Sequence, residues 1–180
     1  MLKKILAALG LLVVALVAVV ATRPARYRVE RSLVIRESPA ILFRTVADFH
    51  TWDAWSPWAS LDPARKTTFA GEPLEVGSTY AWAGDDRVGE GRLTLTEVHA
   101  PSQVKMKLEV FRPWRSTSEA VFDFYTETRG TRVVWILRGR LDFRGKAMSL
   151  FRDMDRLVGP DFDRGLANLR TVAEEATAPR

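Results

Sequence analysis

Between Lys66 and Leu141, apolar and polar residues alternate in short runs separated by turn residues. That period of two belongs to strands with one face in a core and the other in water. It is cleanest where Val104, Met106, Leu108 and Val110 interleave with Lys105, Lys107 and Glu109, and where Ala120, Phe122 and Phe124 interleave with Glu119 and Asp123. Six antiparallel strands are predicted, at 66–69, 78–82, 89–98, 103–111, 117–128 and 131–140, the last two joined by a tight hairpin at Arg129-Gly130. A seventh, Tyr27–Ile35, precedes them. The apolar face of such a sheet must be covered, and one later segment is long enough to do it. There Phe151, Met154, Val158, Phe162, Leu166, Leu169 and Ala173 recur every three or four residues as a single helical stripe. Gly159-Pro160-Asp161 interrupts that stripe, so the long helix is expected to begin or kink at Pro160. Ser38-Pro39 reads as the start of a first helix reaching about Phe49, and the tryptophan-rich 50–58 allows a further turn or two. The expected fold is α+β, a curved antiparallel sheet of about seven strands wrapped around a long C-terminal helix. A sheet that curls without closing leaves a cavity between the two.

The N-terminus is a different kind of sequence. Ile5 to Ala21 is an unbroken apolar run that extends about 25 Å as a helix at ~1.5 Å per residue, the short end of a bilayer span. It exceeds the h-region of a signal peptide, ~7–15 residues, although Val19-Val20-Ala21 is a tolerable cleavage pattern. A retained single-pass transmembrane helix in a bacterial inner membrane is therefore expected, with a cleaved signal peptide as the competing reading. Lys3 and Lys4 on one side and Arg23, Arg26, Arg28 and Arg31 on the other leave the orientation undetermined. The expected organisation is an anchor and linker over 1–26, a domain over 27–176 and a frayed tail over 177–180.

Charge bears on partners. The net charge of +5 resides in Lys3, Lys4, Arg23, Arg26 and Arg28, which precede any acidic residue; the rest of the chain balances 22 cations against 22 anions. Basic character confined to the membrane-proximal end is not the distributed patch of a nucleic-acid binder, so the expected partners are a membrane and a small hydrophobic molecule or lipid, with no nucleic acid. With no cysteine, disulfides, thiolate nucleophiles and Cys-ligated zinc are excluded, and two histidines, His50 and His99, cannot make a multi-His metal site. No cofactor is expected, since Gly89-Glu90-Gly91 lacks the Lys and the following helix of a phosphate loop.

Several segments resemble the SRPBCC or START-like superfamily, in its bacterial polyketide cyclase/dehydrase-like branch. They are Ser38-Pro39, Trp52-Asp-Ala-Trp-Ser-Pro-Trp58 with Leu61-Asp-Pro63, Gly77-Ser-Thr-Tyr-Ala-Trp82, Val88-Gly-Glu-Gly91, Gly130-Thr-Arg-Val-Val-Trp135, and Val158 to Leu169. The resemblance covers roughly 27–175 and implies a helix-grip fold with an apolar ligand cavity. Its implied activities range from cyclisation to ligand carriage.

All six tryptophans, Trp52, Trp55, Trp58, Trp82, Trp114 and Trp135, lie after the apolar run. Tyr80 and Trp82 share one strand face, and Val133, Trp135 and Leu137 share another. Aromatic walls with a few polar groups suit an apolar or aromatic ligand, and the candidate ligand-binding residues are Trp55, Trp58, Tyr80, Trp82, Phe122 and Trp135. The expected function is a membrane-anchored binding protein for a small hydrophobic or aromatic ligand held between sheet and helix. An enzyme of the cyclase or dehydratase kind would need proton-transfer groups such as Tyr80, Glu90 or His50, the last with Asp53 as its orienter, but no nucleophile pair accompanies them. A third alternative is a membrane-associated interaction protein with a filled core. Arg112, Arg115, Arg138 and Arg140 fit a solvated sheet face, or a rim that meets lipid phosphates.

Overall fold

A computed structural model describes residues 1–151 and 153–177. Helix α1 (Leu2–Thr22) leads through a short linker into β1 (Arg26–Ile35), followed by α2 (Pro39–Ala47), a 3₁₀ turn (Phe49–Thr51) and the single-turn α3 (Trp52–Trp55). Strands β2 (Lys66–Ala70), β3 (Thr79–Ala83), β4 (Glu90–His99), β5 (Gln103–Arg112), β6 (Ser116–Glu127) and β7 (Gly130–Arg140) then form a meander. Two helices end the described chain, α4 (Phe143–Met148) and α5 (Met154–Thr177). The seven strands make one antiparallel sheet in the order β1-β7-β6-β5-β4-β3-β2. It is a curved, helix-grip sheet, and α5 crosses its concave side, packing most extensively along β1.

Local chemistry accounts for the elements. Ser38 caps α2 by accepting from the Ile41 N–H at 3.4 Å, and Pro39 occupies the first helical position, where its missing N–H costs nothing. One face of α2 buries Leu42, Phe43, Val46 and Ala47 against the sheet. The Trp52 indole N–H donates to the Val46 carbonyl at 2.8 Å and folds the tryptophan-rich segment back onto that helix. On α5 the buried face is Gly159, Phe162, Gly165, Leu166, Leu169 and Ala173, a helical stripe.

Two features of the C-terminal third differ from expectation. Phe151 is outside the long helix and 86% exposed, and α4 intervenes as a separate turn and a half, capped by Asp142 accepting from the Gly145 N–H at 2.7 Å. Helix α5 does not begin at Pro160, one of the two expected alternatives: it starts at Met154, on the stripe, and runs through Pro160 as its seventh residue. Proline there removes the bond to the Arg156 carbonyl, so the preceding turn is held from outside. Asp153 accepts from the Arg156 N–H at 2.8 Å, and Arg31 reaches from β1 to Asp155 at 2.7 and 3.0 Å and to Asp163 at 3.2 Å. The guanidinium crosses α5 over Gly159, where a Cβ would come within 2.1 Å of it. Its hydrogen bonds and charge hold the Asp155 carboxyl below the usual carboxylate range. The helix end lies at Thr177, and 178–180 of the expected tail lie outside the described residues.

Gly165 fixes how closely α5 approaches the sheet. A Cβ there would stand 2.7 Å from Cζ3 of Trp135 and 3.1 Å from Cδ of Pro57, and the Trp135 ring is 3% exposed and held between Phe162 and Phe122. Gly165→Ala is expected to destabilise the domain by about 1–3 kcal/mol through overpacking, outweighing the ~1 kcal/mol that alanine gains in helix propensity. A thermal melt followed by circular dichroism checks this; an unchanged or raised Tm contradicts it.

Candidate ligand-binding site

The site is built on one row of the sheet. From edge to edge, register partners run from Tyr27 on β1 to Gly139 on β7, Ser118 on β6, Leu108 on β5, Leu93 on β4, Tyr80 on β3 and Phe69 on β2. Tyr27, Ser118, Leu108, Leu93 and Tyr80 line a cavity of about 290 Å³ between the sheet and α5. That volume lies at the lower edge of the range for small-molecule sites, ~300–1,000 Å³. Helix α5 contributes Met154, Val158 and Phe162; the segment after α2 contributes Trp52, Ser56, Trp58, Ala59 and Arg65. Arg87 and Val88 come from the β3–β4 loop.

The inner wall is aromatic. The rings of Trp135 and Phe162 stack at 3.9 Å with 7° between planes, and Phe122 stacks on Trp135 at 4.8 Å. Trp55 and Trp58 meet Trp135 edge-on at 5.8 and 6.0 Å. Trp58, Tyr80, Trp82 and Trp135 stand on the cavity wall. Trp55 and Phe122 do not: both are 0% exposed and pack behind Trp135. Period-two patterning assigns a residue to the inner face without saying how far along the strand the packed core extends. Side-chain size along β6 carries that information. Its inner face reads Ser116, Ser118 and Ala120 where the cavity lies, then Phe122 and Phe124 where the core is filled. This small-to-large switch is the sequence signal that locates the cavity, whose wall also includes Tyr27, Ser118, Leu137 and Phe162, none of them among the sequence candidates.

Polar groups are few and mostly engaged. The Tyr27 and Ser118 hydroxyls share a hydrogen bond of 2.6 Å, the Trp82 N–H donates to the Val88 carbonyl at 3.0 Å, and the Trp58 N–H to Asp161 at 3.2 Å. Trp82 lies across from Gly91, where a Cβ would fall 2.5 Å from its ring and 2.6 Å from the Glu109 carbonyl, so the Gly89-Glu90-Gly91 segment is a bulge that admits an indole. Arg65 donates to the Ala59 carbonyl and to Asp53. Burial pushes the Tyr80 phenol above its ordinary value, with the neighbouring Arg65 opposing, so it stays a neutral donor at physiological pH. The buried indole N–H groups of Trp55 and Trp135 have no partner among the described residues.

The candidate proton-transfer groups are not assembled. Tyr80 lines the cavity, whereas Glu90 is exposed outside it. His50 pairs with Asp48 at 3.0 Å and stacks on Phe69 at 4.3 Å, while Asp53 pairs with Arg65 rather than with His50. His99 is exposed at the end of β4, and Arg138 pairs with Glu119 on the outer sheet face. Among the described residues no cluster of three or more His, Asp or Glu side chains is placed to hold a metal ion.

A curved antiparallel sheet gripping one long helix over an aromatic cavity defines a helix-grip protein of the SRPBCC class. The chain belongs to the polyketide cyclase/dehydrase and lipid transport family, whose sequence profile matches residues 26–174. Similar solved structures include a protein from Mesorhizobium loti, 13% identical with a TM-score of 0.63, covering 85% of this chain and 100% of that one. A protein of unknown function from Staphylococcus aureus is 16% identical with a TM-score of 0.60, over 84% of this chain and 96% of its own. A protein from Rhizobium leguminosarum is 16% identical with a TM-score of 0.60, over 83% and 95%. These likenesses concern the fold. No curated protein matches the sequence.

The cavity rim depends on Asp62, which is 7% exposed and accepts from the Ala64 N–H at 3.0 Å and from the Asp85 N–H at 2.8 Å. It ties the turn carrying Arg65 to the loop carrying Arg87 and Val88. Asp62→Ala strands two donors and is expected to cost about 1–3 kcal/mol for each that stays buried. Limited proteolysis should then cut first within 84–89; cleavage elsewhere, with an unchanged Tm, counts against this role.

Proposed function

We propose that this chain is a membrane-anchored binding protein that takes a small hydrophobic or aromatic ligand into the cavity between the sheet and α5. The observation that carries this reading is the cavity itself: side chains do not fill the space above the Trp135–Phe162 stack, although the core beyond it is close-packed. A filled grip would instead have favoured a surface-acting interaction protein. Burial of apolar ligand surface, at roughly 25 cal/mol per Å², is the source of affinity. Arg65 and Arg87 are already engaged by Asp53 and Asp85, so the polar end of the ligand meets hydroxyls such as Tyr80 and Ser56 rather than a free cation. That favours a hydroxylated, phenolic or carbonyl-bearing molecule over a strongly anionic one.

Ligand binding is tested by titrating the detergent-solubilised full chain with N-phenyl-naphthylamine and following tryptophan fluorescence. Saturable quenching is expected for the native sequence and its loss in Ala120→Phe, which places a ring in the cavity, with a cooperative thermal melt showing that the variant is folded. If the native chain gives no saturable change, and native mass spectrometry finds no co-purified molecule, the reading fails.

Anchoring is the second part of the proposal. Among the described residues α1 is the one helix long and apolar enough to cross a membrane, criteria that a signal sequence also meets. Its 21 residues reach about 31 Å, against a hydrocarbon core of ~30 Å. Contacts around Ala21 support retention: Lys146 donates to its carbonyl at 3.0 Å, and Arg23 donates to the Ser149 carbonyl at 3.0 Å. We place a single pass in the bacterial inner membrane, with 1–26 as anchor and linker and 27–176 as the binding domain. The native chain should resist carbonate extraction, and Leu12→Arg with Val13→Arg should release it, central arginine costing ~2.5–3.5 kcal/mol each. A mature N-terminus at Thr22 in a soluble fraction would overturn the anchor.

A further inference from the structure

The cavity lies at the end of the sheet where α1 enters. Tyr27, on the cavity wall, is five residues beyond the last residue of α1, and the wall at that end includes Ser116 at the start of β6, Val110 near the end of β5, Trp82 near the end of β3, and Arg87 and Val88 in the β3–β4 loop. The same end carries the β5–β6 connection, with Trp114 62% exposed between Arg112 and Arg115. It also carries the segment from β7 to α5, where Phe143, Met148 and Phe151 are 53%, 51% and 86% exposed, interspersed with Arg144 and Lys146.

This segment is tied to the root of α1. The Leu141 N–H donates to the Ala25 carbonyl at 2.7 Å, in addition to the bonds from Lys146 to the Ala21 carbonyl and from Arg23 to the Ser149 carbonyl. At the opposite end the large exposed apolar side chains, Val34, Phe69, Val76 and Tyr125, are scattered over β1, β2, the β2–β3 loop and β6. Aromatic rings mixed with Arg and Lys, fastened to the last turn of a membrane span, match the chemistry of the headgroup region, where tryptophan and phenylalanine sit beside lipid phosphates.

We infer that Trp114 and the segment 141–151 form a lip that rests in the headgroup layer and faces the cavity end of the domain onto the bilayer, so that the ligand enters from the lipid phase. This rests on the anchored reading above and deepens it: the ligand class becomes a membrane-partitioned molecule. Apolar residues that would otherwise be an exposed liability at the cavity end are covered by lipid.

The absence of cysteine makes the test direct. Single cysteines at Phe143, Phe151 and, as control, Tyr125 are labelled with an environment-sensitive dye in the full chain reconstituted into phosphatidylethanolamine/phosphatidylglycerol vesicles. Nitroxide-labelled lipids are then added. Labels at 143 and 151 should be blue-shifted and quenched several-fold more than the label at 125. Equal, water-like behaviour at all three positions overturns the inference, as does energy transfer between copies at 143 with no lipid quenching, which assigns the face to self-association. Failure of the anchor is read separately, as loss of co-flotation with vesicles, and failure of the cavity as absence of saturable dye binding in detergent. In the same vesicles Phe143→Ser with Phe151→Ser should slow N-phenyl-naphthylamine uptake several-fold while leaving its affinity in detergent unchanged.

Discussion

The stack of Trp135 on Phe162 is the contact on which the rest of the domain depends. It joins the centre of β7 to the centre of α5 and is the boundary between two regimes of packing. On one side lie Trp55, Phe122, Leu166 and Leu169, all fully buried; on the other the inner face of β6 shrinks to Ala120, Ser118 and Ser116, and a cavity opens between sheet and helix. Aromatic pairs of this kind contribute ~0.5–1.5 kcal/mol beyond their burial. Their larger effect here is geometric, since planar rings in contact, with Gly165 beneath them, fix the separation of helix and sheet for everything beyond.

Beyond the stack, α5 is held by charge as well as by the partly buried Met154 and Val158. Arg31 reaches across from β1 to Asp155 and Asp163, spanning the turn that Pro160 weakens. These pairs are exposed, and exposed pairs are worth little individually. The helix start is therefore the more loosely fastened wall of the cavity, and it adjoins the segment that meets the root of α1. A rigid aromatic floor and a lightly held rim are compatible with a ligand that must enter and leave.

Much of this was legible from residue order. Alternation located all six meander strands to within a residue or so, because a half-buried strand cannot avoid a period of two, and Ser38-Pro39 announced α2 through its cap. Other features were not, for identifiable reasons. Met154 and Val158 place 154–159 on the helical stripe, but the brace that spans the turn weakened by Pro160 is Arg31, a residue more than a hundred positions away, which the local pattern cannot contain. Phe151 fits the stripe by spacing alone yet lies outside the helix with its side chain 86% exposed, and α4 lacks an amphipathic length long enough to be seen.

The sequence by itself determined the elements, the inner and outer face of each strand, and the separation of an apolar N-terminal helix from a formally neutral domain. These follow from local propensity, period and charge, which are properties of neighbours in the chain. Only the tertiary structure decided which aromatic residues wall the cavity and which are sealed behind it, that His50 turns to Asp48 and leaves Asp53 to Arg65, and that the cavity sits at the end of the sheet nearest α1. Each of these depends on where along its length one element meets another, and that is set by long-range register and by the space left at Gly91, Gly159 and Gly165.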